Sequence, residues 1–489
     1  MIHPVFLVIF SFSSSILATE FTEAAQRGDL SKVQKMISAK IDVNEIDDNG
    51  RTALHLAVKY ERLNVVENLT QVLGIDLNRV DDDGETPFCE AVKKNNFEMV
   101  RYLLSLREID TNTVCQWTTP LKRVIFREDQ KVLDLMIKSG RVDLNLTTDD
   151  DESAPIHYAF TTGKLNAFKA LVASTKTDLN KKLGGSTVLL RAVADEKLEF
   201  VQVLVDCVGR IDLNLADENG NTPFHKAVIS KNLEIISLLL NSPEIDVNTV
   251  NVNKISPLEK AIIQYDSNDA DIFGLLMSSE KIDVNRASVD GGKPPIHLAL
   301  SSGLMMPAFK MLAESPATDL NQKYNGFTVL HKSVQAQNLK AVKILTGCVD
   351  RVDINVRGGE NGLTALDYAV RESNPEIVKL LVSVDGIDVN SVDESGQSTL
   401  IRAIGNSTIA EGMEVLRIIC AVEGLDGNRR NERGTSPLQA AILTDSVEIV
   451  QEILKIRGID VNSINSKNQS ARQFSEMRGS DEAIKTLFK

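Results

Sequence analysis

Positive charge is in short supply in this chain. Lys and Arg number 54 against 68 Asp and Glu over 489 residues, a net charge of −14. A general nucleic-acid binder needs a basic stripe to displace phosphate counterions, so that class is disfavoured. Histidine is scarce too, at six residues, and none falls in the H-E-x-x-H pattern that holds zinc on a helix. No Cys-x-x-Cys pair and no Gly-rich phosphate loop occur. Asp81-Asp82-Asp83-Gly84 with Glu90 has several acids of a calcium loop, but Arg79 stands where the first carboxylate belongs, so the stretch reads as a solvated hairpin tip. Beyond residue 19 no apolar run is long enough to span a membrane. These absences lead to the expectation of no catalytic, metal or cofactor site.

What the chain has instead is a repeat, clearest over residues 219–248. Thr222 offers a side-chain oxygen to the orphan amides of a helix start, and Pro223 suits the first helical position, where no donor is needed. Phe224, Ala227 and Val228 follow at i, i+3 and i+4, and Leu233, Ile235, Ile236, Leu239 and Leu240 stripe a second helix. Two short helices cannot bury both stripes alone. The closing Asp-x-Asn recurs with its Asn at Asn44, Asn78, Asn112, Asn145, Asn180, Asn214, Asn248, Asn285, Asn321, Asn355, Asn390, Asn428 and Asn462, at steps of 33 to 38 residues. A period in this range marks a stacked array.

These residues resemble the ankyrin repeats, whose motif runs D-x-x-G-x-T-P-L-H-x-A and ends near D-V-N, and the resemblance covers about residues 20 to 489. It implies an all-α ankyrin-repeat solenoid, a helix-turn-helix plus hairpin loop per repeat, in a single elongated curved array of about 14 units that binds proteins rather than catalysing a reaction. The expected division is a signal peptide over 1–19, an N-terminal capping repeat over 20–44, an array of about 12 repeats over 45–462, and a C-terminal capping repeat over 463–489. Five of the six histidines, His55, His157, His225, His297 and His331, share one slot of the helix start. The resemblance implies that this imidazole bonds the Thr hydroxyl and backbone groups across the repeat. Departures from the motif stand out. The hairpin-tip Gly is replaced by Trp117, Glu152, Lys254 and Asn468, and the Gly between the helices survives only as Gly163 and Gly303, which leaves the turn geometry of those units open. A longer period of about 140 residues pairs Ala154-Pro155-Ile156-His157 with Pro294-Pro295-Ile296-His297 and Cys207 with Cys348, as expected for a duplicated four-repeat module.

Residues 1–19 read as a secretory leader: a short apolar core from Val5 to Phe12, then serines, then Ala18 as a small residue for cleavage, although the start has no Lys or Arg. The expectation is a secreted protein, or a cytoplasmic one if the leader is not a functional signal. Cys89, Cys115, Cys207, Cys348 and Cys420 are an odd number. The last three occupy similar slots several repeats apart, too far to bridge, so buried thiols are expected rather than a disulfide framework. The sequons at Asn68, Asn145, Asn406 and Asn468 are about what chance gives.

On each first helix the residue after the His slot is predicted to point to the inner side. That row includes Arg123, Tyr158, Arg191, Lys226, Lys260, Lys332, Tyr368 and Arg402, mostly basic in an acidic protein, while the hairpins carry runs such as Asp47-Asp48, Asp217-Glu218 and Asp393-Glu394. One reading is a groove for an acidic segment of a partner protein, with the tyrosines as anchors. The other is that these side chains lie across neighbouring helices and pair with adjacent acids. A self-assembling structural protein, acidic hairpins of one copy entering the basic groove of another, is the alternative function. Trp117, the one tryptophan, is a further candidate contact unless it covers local apolar surface. The two long connections, around 264–270 and 406–411, are either contact loops or tolerated changes of length.

Overall fold

The computed structural model describes residues 19–148, 152–266, 269–287, 292–301, 306–359, 361–465, 467–478 and 481–488. The body of the leader, Asp149 to Asp151, Ser267, Asn268 and Gly303 lie outside them. The chain divides into two compact units, Met1–Asp246 and Val247–Lys489. Both are built from the expected helix pairs. In the first unit these run from Ala53–Lys59 with Leu63–Leu69 to Pro223–Ser230 with Leu233–Asn241. In the second they run from Pro257–Ile263 with Ala270–Met277 to Pro437–Leu443 with Val447–Leu454. First helices pack on first helices, as Ala53–Lys59 does on Pro87–Lys94 and Ala365–Arg371 on Thr399–Asn406.

The apolar stripes form the core. Phe224, Ala227, Val228, Ile235, Ile236, Leu239 and Leu240 are all buried. Leu233, which its spacing puts on the same stripe, is 37 % exposed because it opens the second helix and faces outward there. Where the sequence supplies Thr or Ser the first helix is capped as expected: Thr222 has an extended backbone and its hydroxyl accepts from the His225 amide, with Pro223 next, whereas Ala154 and Pro294 make no such bond. The N-terminal pair buries Phe21, Ala24, Ala25 and Val33 but leaves Leu30 and Ile37 half-exposed.

Outside the two long connections, most missing glycines do not alter the turns. Between the helices, Glu61, Asn95, Glu128, Glu196, Lys231, Gln337, Ser373 and Asp445 take the left-handed conformation that Gly163 takes with φ +70°. At the hairpin tips Trp117, Lys254 and Asn468 do the same in place of Gly. The stacking therefore holds these residues where an isolated chain would avoid them. At the long connection after Thr399–Asn406, Gly412 is required instead: an added Cβ would lie 1.9 Å from the Asn406 carbonyl oxygen.

The closing asparagines, which mark the period in the sequence, are the ties between repeats. Asn44 donates through Nδ2 to the Gly74 carbonyl at 2.8 Å, and its Oδ1 accepts from the Asp76 amide at 2.7 Å. The same pair of bonds recurs at Asn78, Asn145, Asn214, Asn248, Asn285, Asn321, Asn355, Asn390 and Asn428. The Asp two residues earlier shapes the turn, as Asp319 Oδ1 does by accepting from the Asn321 amide at 2.9 Å.

Candidate functional site

The His slot is a latch, and its state depends on the residue three places earlier. His331 lies with Nδ1 2.7 Å from the Thr328 hydroxyl and Nε2 3.0 Å from the Leu363 carbonyl of the next repeat. A carbonyl only accepts, so Nε2 carries the proton and Nδ1 accepts from Thr328. His55 makes the same two contacts, to Thr52 and to the Glu85 carbonyl, and His225 is 2.9 Å from Thr222. The expectation fails at two histidines. Ala154 and Pro294 replace the Thr, so Nδ1 of His157 and of His297 has no hydrogen-bond partner; Nε2 of His157 makes no bond to the next repeat either. Burial pushes His55, His297 and His331 below the ordinary imidazole range and His157, also beside Arg191 and Lys181, down to about 4.

The same slot corrects the expectation of five buried thiols. Cys89 occupies it, and its side chain reaches the next hairpin, where Cys115 lies 6.3 Å away by Cα; the two form a disulfide. The spacing of 26 residues is close to the 25 that separate His297 from its contact Gln322. Only Cys207, Cys348 and Cys420 remain thiols, and burial, then Glu452, push Cys420 up to about 12. Glu85 sits with the two sulfurs, its carboxylate within 4.8 Å of both. The sulfurs are bonded to each other and the carboxylate holds Arg123 at 2.9 Å and Lys93 at 3.3 Å, so the cluster pins the hairpin rather than offering free ligands.

Half of the inner-row cations, Arg123, Lys226 and Arg402, are neutralised from within. Arg123 also donates to the Cys115 carbonyl, Arg191 donates to the Leu183 carbonyl at 2.7 Å, Lys226 pairs with Asp217 at 2.7 Å, and Arg402 pairs with Asp393 at 2.6 Å. Asp217 and Asp393 each stand nine residues before their partner in the hairpin, so the apparent segregation of charge is in large part intramolecular pairing. Where that position is not acidic this pairing is lost: Lys182 precedes Arg191, Asn251 precedes Lys260 and Lys323 precedes Lys332, while Arg123, preceded by Val114, takes Glu85 instead. Neither Lys260 nor Lys332 has a carboxylate partner among the described residues. Lys332 lies 3.9 Å over the Phe327 ring and bonds Gln335. Tyr368 is 4 % exposed, covered by Arg371 at 4.5 Å, with its phenol pushed up by burial. Gly359 must be glycine there, since a Cβ would sit 2.5 Å from the Tyr368 oxygen. Tyr158 is half-exposed, with the buried Lys122 ammonium 5.8 Å from its ring.

Trp117 is different. It is 78 % exposed, which removes the reading that it covers apolar surface. Gln116 and Trp117 both have positive φ, 44° and 72°, and join the Cys115–Thr118 bridge in a two-residue hairpin. Such a turn calls for Gly or Asn. The corresponding tips are Gly184-Gly185 and Asn325-Gly326.

Two kinds of likeness to known proteins agree with this architecture. A family model for ankyrin repeats matches residues 21–115, 176–251, 258–358, 296–393 and 377–465. The chain is 31 % identical over 205 residues to the B-cell lymphoma 3 protein homolog of Mus musculus, covering 40 % of this chain and 43 % of that protein. It is 25 % identical over 198 residues to the human (Homo sapiens) B-cell lymphoma 3 protein and 25 % over 197 residues to the nuclear factor NF-kappa-B p105 subunit of Gallus gallus, covering 35 % and 19 % of those proteins. The matches thus span less than half the length of each relative. No helix among the described residues is long and apolar enough to cross a membrane. With the repeat geometry and a family match over most of its length, the chain belongs to the ankyrin-repeat family.

Proposed function

We propose that this chain is a secreted, non-catalytic scaffold that binds a protein partner through its hairpin tips and through those inner-row residues that are not neutralised from within. Trp117 carries the reading. A large aromatic side chain held in solvent, in a backbone conformation that glycine adopts without strain, has no part in packing its own repeat, and tryptophan is favoured at the centres of protein interfaces. The Cys89–Cys115 disulfide fixes the base of that hairpin and belongs to an oxidising compartment, in line with the secretory leader. Self-assembly through acidic tips entering a basic groove has less support, because Asp217 and Asp393 are already held by Lys226 and Arg402 of the same chain.

The test is parallel affinity capture with the immobilised chain from Thr19 onward and its Trp117→Gly variant, read by mass spectrometry. A partner retained by the parent and lost from a variant at least as stable supports the reading. Identical captures would remove Trp117 as a contact and leave the proposal without its main support.

A further inference from the structure

In the second unit two lysines converge with no acid between them. Lys293 and Lys332 line a half-open cavity of about 370 Å³, together with His297, Ser301, Tyr324 and Asn325. Lys293 Nζ bonds the Ser301 hydroxyl at 2.8 Å and lies 5.9 Å from the Tyr324 ring. No carboxylate lines the cavity among the described residues. Burial, then the neighbouring Lys293, depress the Lys332 ammonium below its ordinary range. Lys323, in the position where the repeats of Lys226 and Arg402 place an aspartate, adds a third positive charge near His331.

Among the neutral groups the Ser301 hydroxyl, the Tyr324 phenol and the Asn325 amide can donate, whereas His297 cannot. His297 is 3 % exposed; its Nε2 donates to the Gln322 carbonyl at 3.2 Å, so Nδ1, left without a partner by Pro294, is an acceptor and takes no part in holding an anion. The cavity is therefore walled by two ammonium groups, a hydroxyl, a phenol and an amide, beside the neutral imidazole of His297. Like charges brought together in a low-dielectric recess repel. At Lys226 and Arg402 the repeat places an acid beside the corresponding cation. Here the acid is missing, and what would restore balance is an anion from outside, held by charge-assisted hydrogen bonds from the lysines.

We propose that the cavity is a binding site for one oxyanion group, a carboxylate or a phosphate, held between the ammonium groups of Lys293 and Lys332. The anion comes either as a free small molecule or as the acidic side chain of a bound segment; the chemistry at the lysines is the same. The site lies in the second unit and Trp117 in the first, so it stands or falls independently of the hairpin-tip contact.

The experiment is calorimetric titration of the full chain from Thr19 at low ionic strength, with inorganic phosphate and separately with a hexaglutamate peptide. The comparison set is Lys293→Gln/Lys332→Gln and a charge-matched control, Lys310→Gln/Lys343→Gln, at exposed positions. Saturable binding of one anion per chain, weakened about tenfold or more by the first pair and unchanged in the control, supports the site. Tighter binding of phosphate assigns it to a small anion, and tighter binding of the peptide assigns it to a segment. Should the double variant not fold, Lys293→Gln alone reads the same loss, and Lys332→Arg, which keeps the charge, retains binding. Absence of binding by both anions, or equal weakening in the control, overturns the proposal.

Discussion

Replacing Asn321 with Ala removes one rung of the asparagine ladder and nothing else. The side chain donates to the Arg351 carbonyl at 2.8 Å and accepts from the Asp353 amide at 2.8 Å, while the Asn321 amide keeps its bond to Asp319. Each hydrogen bond contributes about 0.5–1.5 kcal/mol net. Both partners lie near solvent, so water replaces part of what is lost, and the expected cost is about 1–1.5 kcal/mol. A long repeat array does not unfold in one step, so the informative measurement is local: hydrogen exchange at the Asp353 amide. It should quicken about five- to tenfold, the kinetic equivalent of that free energy. Asn321→Asp separates the two bonds. Its oxygen still accepts from Asp353, which keeps that amide protected, but it cannot donate to Arg351, and stability still falls. An unchanged Asp353 exchange rate in Asn321→Ala would refute the view that the ladder ties repeat to repeat.

Three further outcomes follow from particular residues. Trp117→Gly should raise stability by about 1 kcal/mol, read by urea unfolding, because glycine takes the positive φ at Trp117 without strain; a destabilised variant would mean that the indole packs somewhere. Thiol titration in denaturant should find three free cysteines before reduction and five after, and in the native protein Cys420, pushed up to about 12, should be the least reactive at pH 8. Acid should destabilise the protein well above the carboxylate range. The folded-state value for His157, about 4, lies below the ordinary 6.5, so the unfolded chain takes up the proton first and stability is lost as pH falls from 6.5 toward 4. The loss is about 1.4 kcal/mol per unit, about 3 kcal/mol in all. His55, His297 and His331 push the same way. His157→Leu should flatten the fall of melting temperature between pH 7 and pH 4.5; an identical profile would show that His157 is not responsible.

Much of the architecture was legible because periodicity and capping are local signals. Thr222, Pro223 and the stripe from Phe224 to Leu240 dictate a helix pair, and the recurrence of Asp-x-Asn sets its partner. The glycine replacements were harder to read, since an isolated Glu128 or Lys254 avoids positive φ and only the stacked neighbours hold it there. Long-range pairing was least legible. That Cys89 meets Cys115 follows only once the slot is known to face the next hairpin, and the ladder role of Asn321 needs the position of Arg351 and Asp353. The inner-row cations appear free in the sequence, yet a local signal existed: the residue nine positions earlier, acidic before Lys226 and Arg402 and not before Lys260 and Lys332.

That signal separates structural from functional use of the same slot. A repeat with Thr three before the His and Asp nine before the cation is satisfied from within: its imidazole bonds the hydroxyl and its cation has an acid, as around His225 and Lys226. A repeat that loses either partner leaves a polar group unmatched in a fold that gains nothing from it locally. Sequences usually agree with their fold at every level, so concentrated disagreement marks the places where something else is being selected. In this chain Trp117 is such a disagreement in the first unit. Pro294 before His297, with Lys323 before Lys332, is the corresponding one in the second. Departures that the stack absorbs, such as Glu128 in a left-handed turn, leave no open polar group and attract no ligand. The departures that leave a group open are therefore the ones to mutate first.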